Sequence, residues 1–396
     1  MNQIFNVSVS KRDGSLTSAD LTFPATPYQL ADALEQLRAD SAENVKAKIS
    51  YCHSNGILNL LPTASGNLYE VNALAKKMAG FEDWQREAFD GMLKADAFES
   101  SDPIPIARLI DFAYSTECCH VVGSITTDKE LGEFLVENGL WVDEEALTED
   151  VYKRLDFKMI GREHRLMEGG IFTANSYVEQ HCDLVEAHRT LDLTPPSLDY
   201  TVLLKISKGF FNAPASDGTQ AMTLNLPATE AQLSAVREQL DVASWKEAGF
   251  ACIDCKAPML IDLINDAEDF DEVLQLADTL AKMPQKQLTE YKALLAATRC
   301  SEFDRAVDLI SRMEEYIVTP EYEMLADVAR DEMRVIMSPD SVEIMLPYLD
   351  LEGYGHALVK ALNADLTAYG MVERKDRQPV YAPTEQSQQG GPEMNL

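Results

Sequence analysis

LTFPATPYQLADALEQL occupies residues 21–37 and LNLPATEAQLSAVREQL occupies residues 224–240, with nine of seventeen positions identical at a constant offset of 203. Both stretches read the same way. A β-patterned run ends at a proline, Thr26 or Thr229 follows as a helix N-cap, and apolar residues then recur at three-to-four spacing. IFNVSVS (4–10) and TVLLKIS (201–207) precede them as strands, and segments around Ala47–Tyr51 and Phe250–Asp254 supply a third strand to each small sheet. Helical patterns follow, as in NLYEVNALAKKMAG (67–80) and QREAFDGMLKAD (85–96), and a last small α/β part holds LDF or LDL as a strand. The expected fold class is α+β.

The echo continues along the chain. Glu70, Val71, Leu74 and Ala75 correspond to Glu272, Val273, Leu276 and Ala277. LDFKMIG (155–161) is answered by LDLEGYG (349–355), and Thr173, Ala174, Val178 and Glu179 by Thr367, Ala368, Val372 and Glu373. The order is kept while the offset drifts from 203 to 194, which reads as a tandem duplication. We place one repeat at residues 1–182, a linker at 183–197 marked by Pro195–Pro196, and a second, divergent repeat at 198–376. The tail, 377–396, lacks apolar periodicity and is expected to be disordered.

The 396 residues carry 66 Asp plus Glu against 34 Lys plus Arg, a formal charge of -32. That balance repels nucleic acid and anionic lipid, which need basic patches, and suits a basic partner or plain solubility. No stretch is long and apolar enough to span a bilayer, and MNQIFNVSVSKRDG has no signal-peptide pattern. Seven cysteines at irregular spacing argue against a disulfide framework, so a cytoplasmic chain with reduced thiols is expected.

Motifs for chemistry are sparse. CIDC (252–255) has knuckle spacing but no second ligand pair, and zinc needs four ligands; buried thiols are the simpler reading. ECCH (117–120) puts neighbouring side chains on opposite faces, so a thiol nucleophile at Cys118 or Cys119 needs a distant histidine. GREHRLMEGG (161–170) is not HExxH and reads as a surface helix starting after Gly161. Walker, GxGxxG and GxSxG patterns do not occur, and neither a catalytic role, a metal nor a cofactor is expected.

Charge is more informative. Residues 101–150 hold twelve acids and two bases, and residues 301–350 hold thirteen and four. In the first repeat the candidate partner-binding acids are Asp128, Glu130, Glu133, Glu137, Asp143, Glu144, Glu145, Glu149 and Asp150. In the second they are Glu314, Glu315, Glu321, Glu323, Asp327, Asp331 and Glu332. Most positions differ between repeats while the acidity persists. At the B-DNA density of one charge per ~1.7 Å, the whole surplus would match at most ~50 Å of duplex.

LDFKMIGREHRLMEGGIFTANSYVE (155–179) resembles the closing motif of the ArdA antirestriction family, where (L/I)-D-(Y/F)-x-x-x-G-(R/K) precedes a short strand segment. DKELGEFLVENG (128–139) resembles that family's penultimate helix. The resemblance covers most of the first repeat; in the second, Leu349, Asp350 and Gly355 persist while His356 replaces the basic residue. It implies an elongated protein of small subdomains that mimics bent B-DNA. Such proteins occupy the DNA-binding groove of type I restriction–modification enzymes and block cleavage and methylation. They are carried by mobile elements. The acids named above would be phosphate surrogates, and the partner the basic DNA-binding groove of a host nuclease or methyltransferase complex, with no nucleic acid or membrane bound. Family members usually dimerise as single units, so the tandem implies an internal pseudo-dimer, as a monomer or a homodimer. Two other readings use the same features: an anti-CRISPR or other anti-defence inhibitor acting through its acidic face, and a mobile-element interaction protein that mimics nothing.

Overall fold

The computed structural model describes residues 3–99, 102–142, 148–209 and 221–381. It is α+β: helices combined with small antiparallel sheets. Two compact units emerge, one of residues Met1–Ala25 and Leu37–Pro195, the other of residues Thr26–Gln36 and Pro196–Leu396.

In the first unit, β1 (Phe5–Lys11) and β2 (Ser18–Phe23) pair antiparallel. Beyond them α1 (Pro27–Gln36) belongs to the second unit, and β3 (Val45–Cys52) returns to complete the order β2-β1-β3. Phe5, Val7 and Val9 alternate inward along β1, as a half-buried strand requires. α2 (Leu68–Ala79) starts at a capping box in which Asn67 and Glu70 satisfy each other's amides, and it buries Val71, Leu74, Ala75 and Met78. α3 (Asp83–Glu99) and α4 (Ile106–Tyr114) lead to β4 (Cys119–Gly123). Then come α5 (Asp128–Glu137), α6 (Glu149–Tyr152), α7 (Phe157–Glu168), β5 (Ile171–Phe172) and β6 (Ser176–Gln180), with sheet order β4-β6-β5.

The second unit runs through β7 (Val202–Lys208), β8 (Ala221–Leu226), α8 (Glu230–Leu240) and β9 (Ala248–Cys255), with order β8-β7-β9. Its helices are α9 (Ile261–Asn265), α10 (Phe270–Lys282), α11 (Gln285–Ala297) and α12 (Phe303–Ser311). β10 (Tyr316–Thr319), α13 (Leu325–Ile336), α14 (Pro339–Met345), α15 (Leu351–Ala361), β11 (Asp365–Thr367) and β12 (Gly370–Arg374) follow, with order β10-β12-β11. The first sheets of the two units share strand order and a register shift at matching places, Asn6/Val7 and Leu203/Leu204. Cis peptides precede Pro24 and Pro227.

The LDF and LDL motifs are not strands. Asp156 and Asp350 cap α7 and α15, accepting hydrogen bonds from the amides of Met159 and Gly353. Gly161 lies inside α7 rather than before a helix, because Asp156 starts the helix at Phe157; a Cβ at Gly161 would sit 1.9 Å from the Asp128 carbonyl oxygen of α5. Gly355 meets the Leu325 carbonyl in the same way. These glycines let two helix backbones touch.

α1 is held in the second unit by charge. The buried Asp254 carboxylate accepts from Thr26 Oγ1 (2.6 Å), the Tyr28 amide (3.0 Å) and Tyr200 Oη (2.7 Å), placing an anion at the N-terminus of α1. Lys292 Nζ, on α11, donates to Asp32 (2.6 Å) and Glu35 (2.8 Å), and Tyr369 Oη also donates to Asp32. Sequence periodicity assigns residues 26–36 to the first repeat; these contacts draw them into the other unit.

The segment read as a linker is packed in its middle. The Val185 amide donates to Ser115 Oγ (2.8 Å), Ala187 is buried, and His188 bonds Asp111 on α4. The start of the tail is ordered too: Val380 is buried with its amide on the Asn363 carbonyl, and Arg299 lies over the Tyr381 ring.

Candidate partner-binding surface

Several acids selected by charge density are engaged within the first unit. Asp128 receives Arg165 of α7 at 2.7 and 3.4 Å, and only 18% of its side chain is exposed, so it clamps α5 to α7. Glu130 closes the Thr127 capping box, and the amides of Thr126 and Thr127 hold its carboxyl below the usual range. Glu133 lies 3.1 Å from Lys129, Glu137 accepts from Tyr152 Oη (3.0 Å), and Glu149 pairs with Lys153. Asp150 is exposed on α6. Asp143, Glu144 and Glu145 lie outside the described residues.

The second unit repeats this pattern with different residues. Glu315 takes two hydrogen bonds from Arg312, at 3.0 and 2.8 Å, which hold its carboxyl below the usual range. Asp327 accepts from the amides of Glu323 and Met324 at the start of α13 and pairs with Arg330, while Asp331 accepts from Tyr322 Oη (2.7 Å). Glu314 and Glu321 are exposed, and Glu323 and Glu332 are half-buried.

A denser acidic surface lies on α9, α10 and the segment between them, where Asp269 caps α10 by accepting from the Asp271 amide (3.0 Å). Asp262, Asp266, Glu268, Asp269, Asp271, Glu272 and Asp278 are all exposed, and none enters an ion pair among the described residues. Residues 262–278 contain these seven acids and no base. Fifty-residue windows missed them because lysines on either side cancel the count. A window of one helix length exposes the run.

The thiols do not converge on a site. Cys118 and Cys182 are disulfide-bonded, with Cα atoms 5.2 Å apart, which corrects the expectation of reduced thiols throughout. The fold brings these distant positions together beside β4, beyond the reach of spacing arguments. Cys119 is buried, and desolvation pushes its thiol up to about 11, far from a nucleophilic thiolate. Cys252 and Cys255 are separate, buried thiols on β9, with burial pushing Cys255 up to about 12. Glu179 of β6 meets two histidines, lying 3.1 Å from His164 Nε2 and 3.5 Å from His120 Nδ1, a grouping that helical spacing alone conceals. Neither this grouping nor any other set of three or more His, Cys, Asp or Glu side chains among the described residues is arranged so that it could hold a metal ion. An apolar cleft of about 510 Å³, bordered by Ile57, Leu61 and Phe172, has two cations at its edge, and both are engaged: Lys94 donates to the Phe172 carbonyl and Arg165 to Asp128.

No helix of the described chain is long and apolar enough to cross a membrane. Comparison of the chain with protein-family models and with curated proteins finds no match.

Proposed function

We propose that this chain is an acidic inhibitor that occupies the DNA-binding groove of a type I restriction–modification enzyme, presenting carboxylates where phosphates would lie and blocking both cleavage and methylation. The observation that carries the reading is the acid run over residues 262–278, none of which enters an ion pair among the described residues. The 13 residues of α10 span ~20 Å at ~1.5 Å per residue. Duplex of that length carries roughly 12 phosphates, so the three carboxylates on α10 itself, Asp271, Glu272 and Asp278, reach about a quarter of that charge density, and Asp262, Asp266, Glu268 and Asp269 extend the run ahead of the helix. Unpaired surface acids keep their full field for an incoming basic groove, whereas Asp128, Glu315 and Asp327 spend part of theirs on internal partners.

The test titrates a purified type I enzyme with this chain at low and high salt, scoring DNA cleavage and methylation. Stoichiometric inhibition that weakens as salt rises is the expected result. Absence of inhibition at large excess rejects this target.

A further inference from the structure

α4 and α12 occupy the same place in the order of their units and share an Arg-x-x-Asp pattern, Arg108–Asp111 and Arg305–Asp308. Around α4 the chain supplies its own cover. Residues 185–189 lie on the helix, Ala187 is buried against it, and His188 offers Asp111 both its backbone amide (3.0 Å) and its imidazole Nδ1 (2.8 Å). Asp111 retains only 10% side-chain exposure.

The matching face of α12 is open. Asp308 is 55% exposed, and its carboxylate pairs with Arg312 at 3.3 Å. Between α10 and α12 lies a groove of about 460 Å³ with Leu276, Phe303 and Val307 along its floor and Glu272, Asp304 and Asp308 along its edges. Val307 is 39% exposed there, an apolar side chain between carboxylates. After β12 the chain turns instead to Asn363 and Arg299, leaving this face uncovered by residues 375–381.

We propose that the α10–α12 groove docks a basic, apolar-anchored peptide segment of a protein partner, as residues 185–189 dock on α4. A side chain such as Leu or Val would cover Val307 and Phe303, and a cationic or imidazole donor would reach Asp308, as His188 reaches Asp111. Acidic edges select the charge, and the apolar floor supplies contact that salt does not screen. The site stands on geometry in the second unit and holds whatever enzyme the acidic surface meets.

The probe is a fluorescein-labelled peptide copying residues 183–191 with Asp183→Lys and Glu186→Lys, titrated by anisotropy against the full chain. Saturable binding is expected, weakened about tenfold or more by Val307→Asp, a change on an exposed helix face. That substitution adds a negative charge, so diffuse attraction to an acidic protein predicts equal or tighter binding; such a result overturns the proposal, as does failure of the unmodified chain to bind. Should Val307→Asp fail to give the native circular dichroism spectrum, Val307→Ser probes the floor and Thr279→Lys probes Thr279 of α10, which also lines the groove, with weakening expected from each and its absence from both again overturning the proposal.

Discussion

Lys292 Nζ sits 2.6 Å from Asp32 Oδ1, joining residues 260 apart in sequence, and both side chains are almost wholly buried. Burial alone would lower the lysine's proton affinity; Asp32 and Glu35 more than offset it and hold the ammonium above its usual range. Because that affinity is raised by folding, its stabilisation is complete below the ordinary lysine pKa and is lost only as pH climbs through the folded value. Near neutrality the latch is insensitive to pH.

Lys292→Met should cost about 3–5 kcal/mol, since it strands buried carboxylates rather than removing a surface pair. Urea unfolding of Lys292→Met, Asp32→Asn and the double variant measures the coupling. Additive losses would show that the pair does not hold α1.

Asp90 behaves in the opposite sense. Burial pushes its carboxyl up to about 6, partly countered by Asn55. A raised carboxyl means that the ionised folded form is disfavoured. The penalty is absent below the ordinary aspartate pKa and grows as pH rises through about 6. Asp90→Asn should therefore stabilise the chain by about 1–2 kcal/mol near pH 8, discounted for partial exposure, and by almost nothing near pH ~2.5, below the ordinary aspartate value. Melting curves at both pH values decide it; an equal gain at each would contradict the assignment.

Gly161→Ala and Gly355→Ala should each destabilise by about 1–3 kcal/mol or more, because the new methyl overlaps a backbone carbonyl that cannot rotate away. Gly123→Ala, where a Cβ meets nothing within 4 Å, serves as the control. Comparable melting temperatures for all three would mean that these helices are not in backbone contact.

The Cys118–Cys182 bond closes a separation of 64 residues, for which the chain-entropy relation gives about 4 kcal/mol. Cys182→Ser should lower stability under oxidising conditions and leave it nearly unchanged with reductant present. Alkylation and mass measurement of the oxidised protein should find these two thiols protected together.

Asn substitution of Asp262, Asp266, Asp269, Asp271 and Asp278 together should weaken inhibition of the restriction enzyme and flatten its salt dependence while leaving the fold intact. Asp128→Asn should do the reverse: lower stability through loss of Arg165, with little change in inhibition. If both variants inhibit like the parent, the acidic surface is not the contact.

Local order was legible in the sequence. Strand alternation in β1 and β7 and the N-caps at Thr26 and Thr229 depend on residues within a few positions of one another, so spacing reports them. LDF and LDL misled because Asp156 and Asp350, read as strand residues, are helix caps, and the glycines that follow mark helix contact rather than a boundary.

What the residues alone determined is the α+β class and a large surplus of negative charge. The tertiary structure decided which carboxylates that surplus leaves free. An acid's role depends on whether a base or an amide lies within about 3 Å, and that distance is set by folding, not by neighbours in the chain. So Asp128 became a clamp, Asp32 a buried latch and Asp271 an exposed charge, although all three look alike as letters.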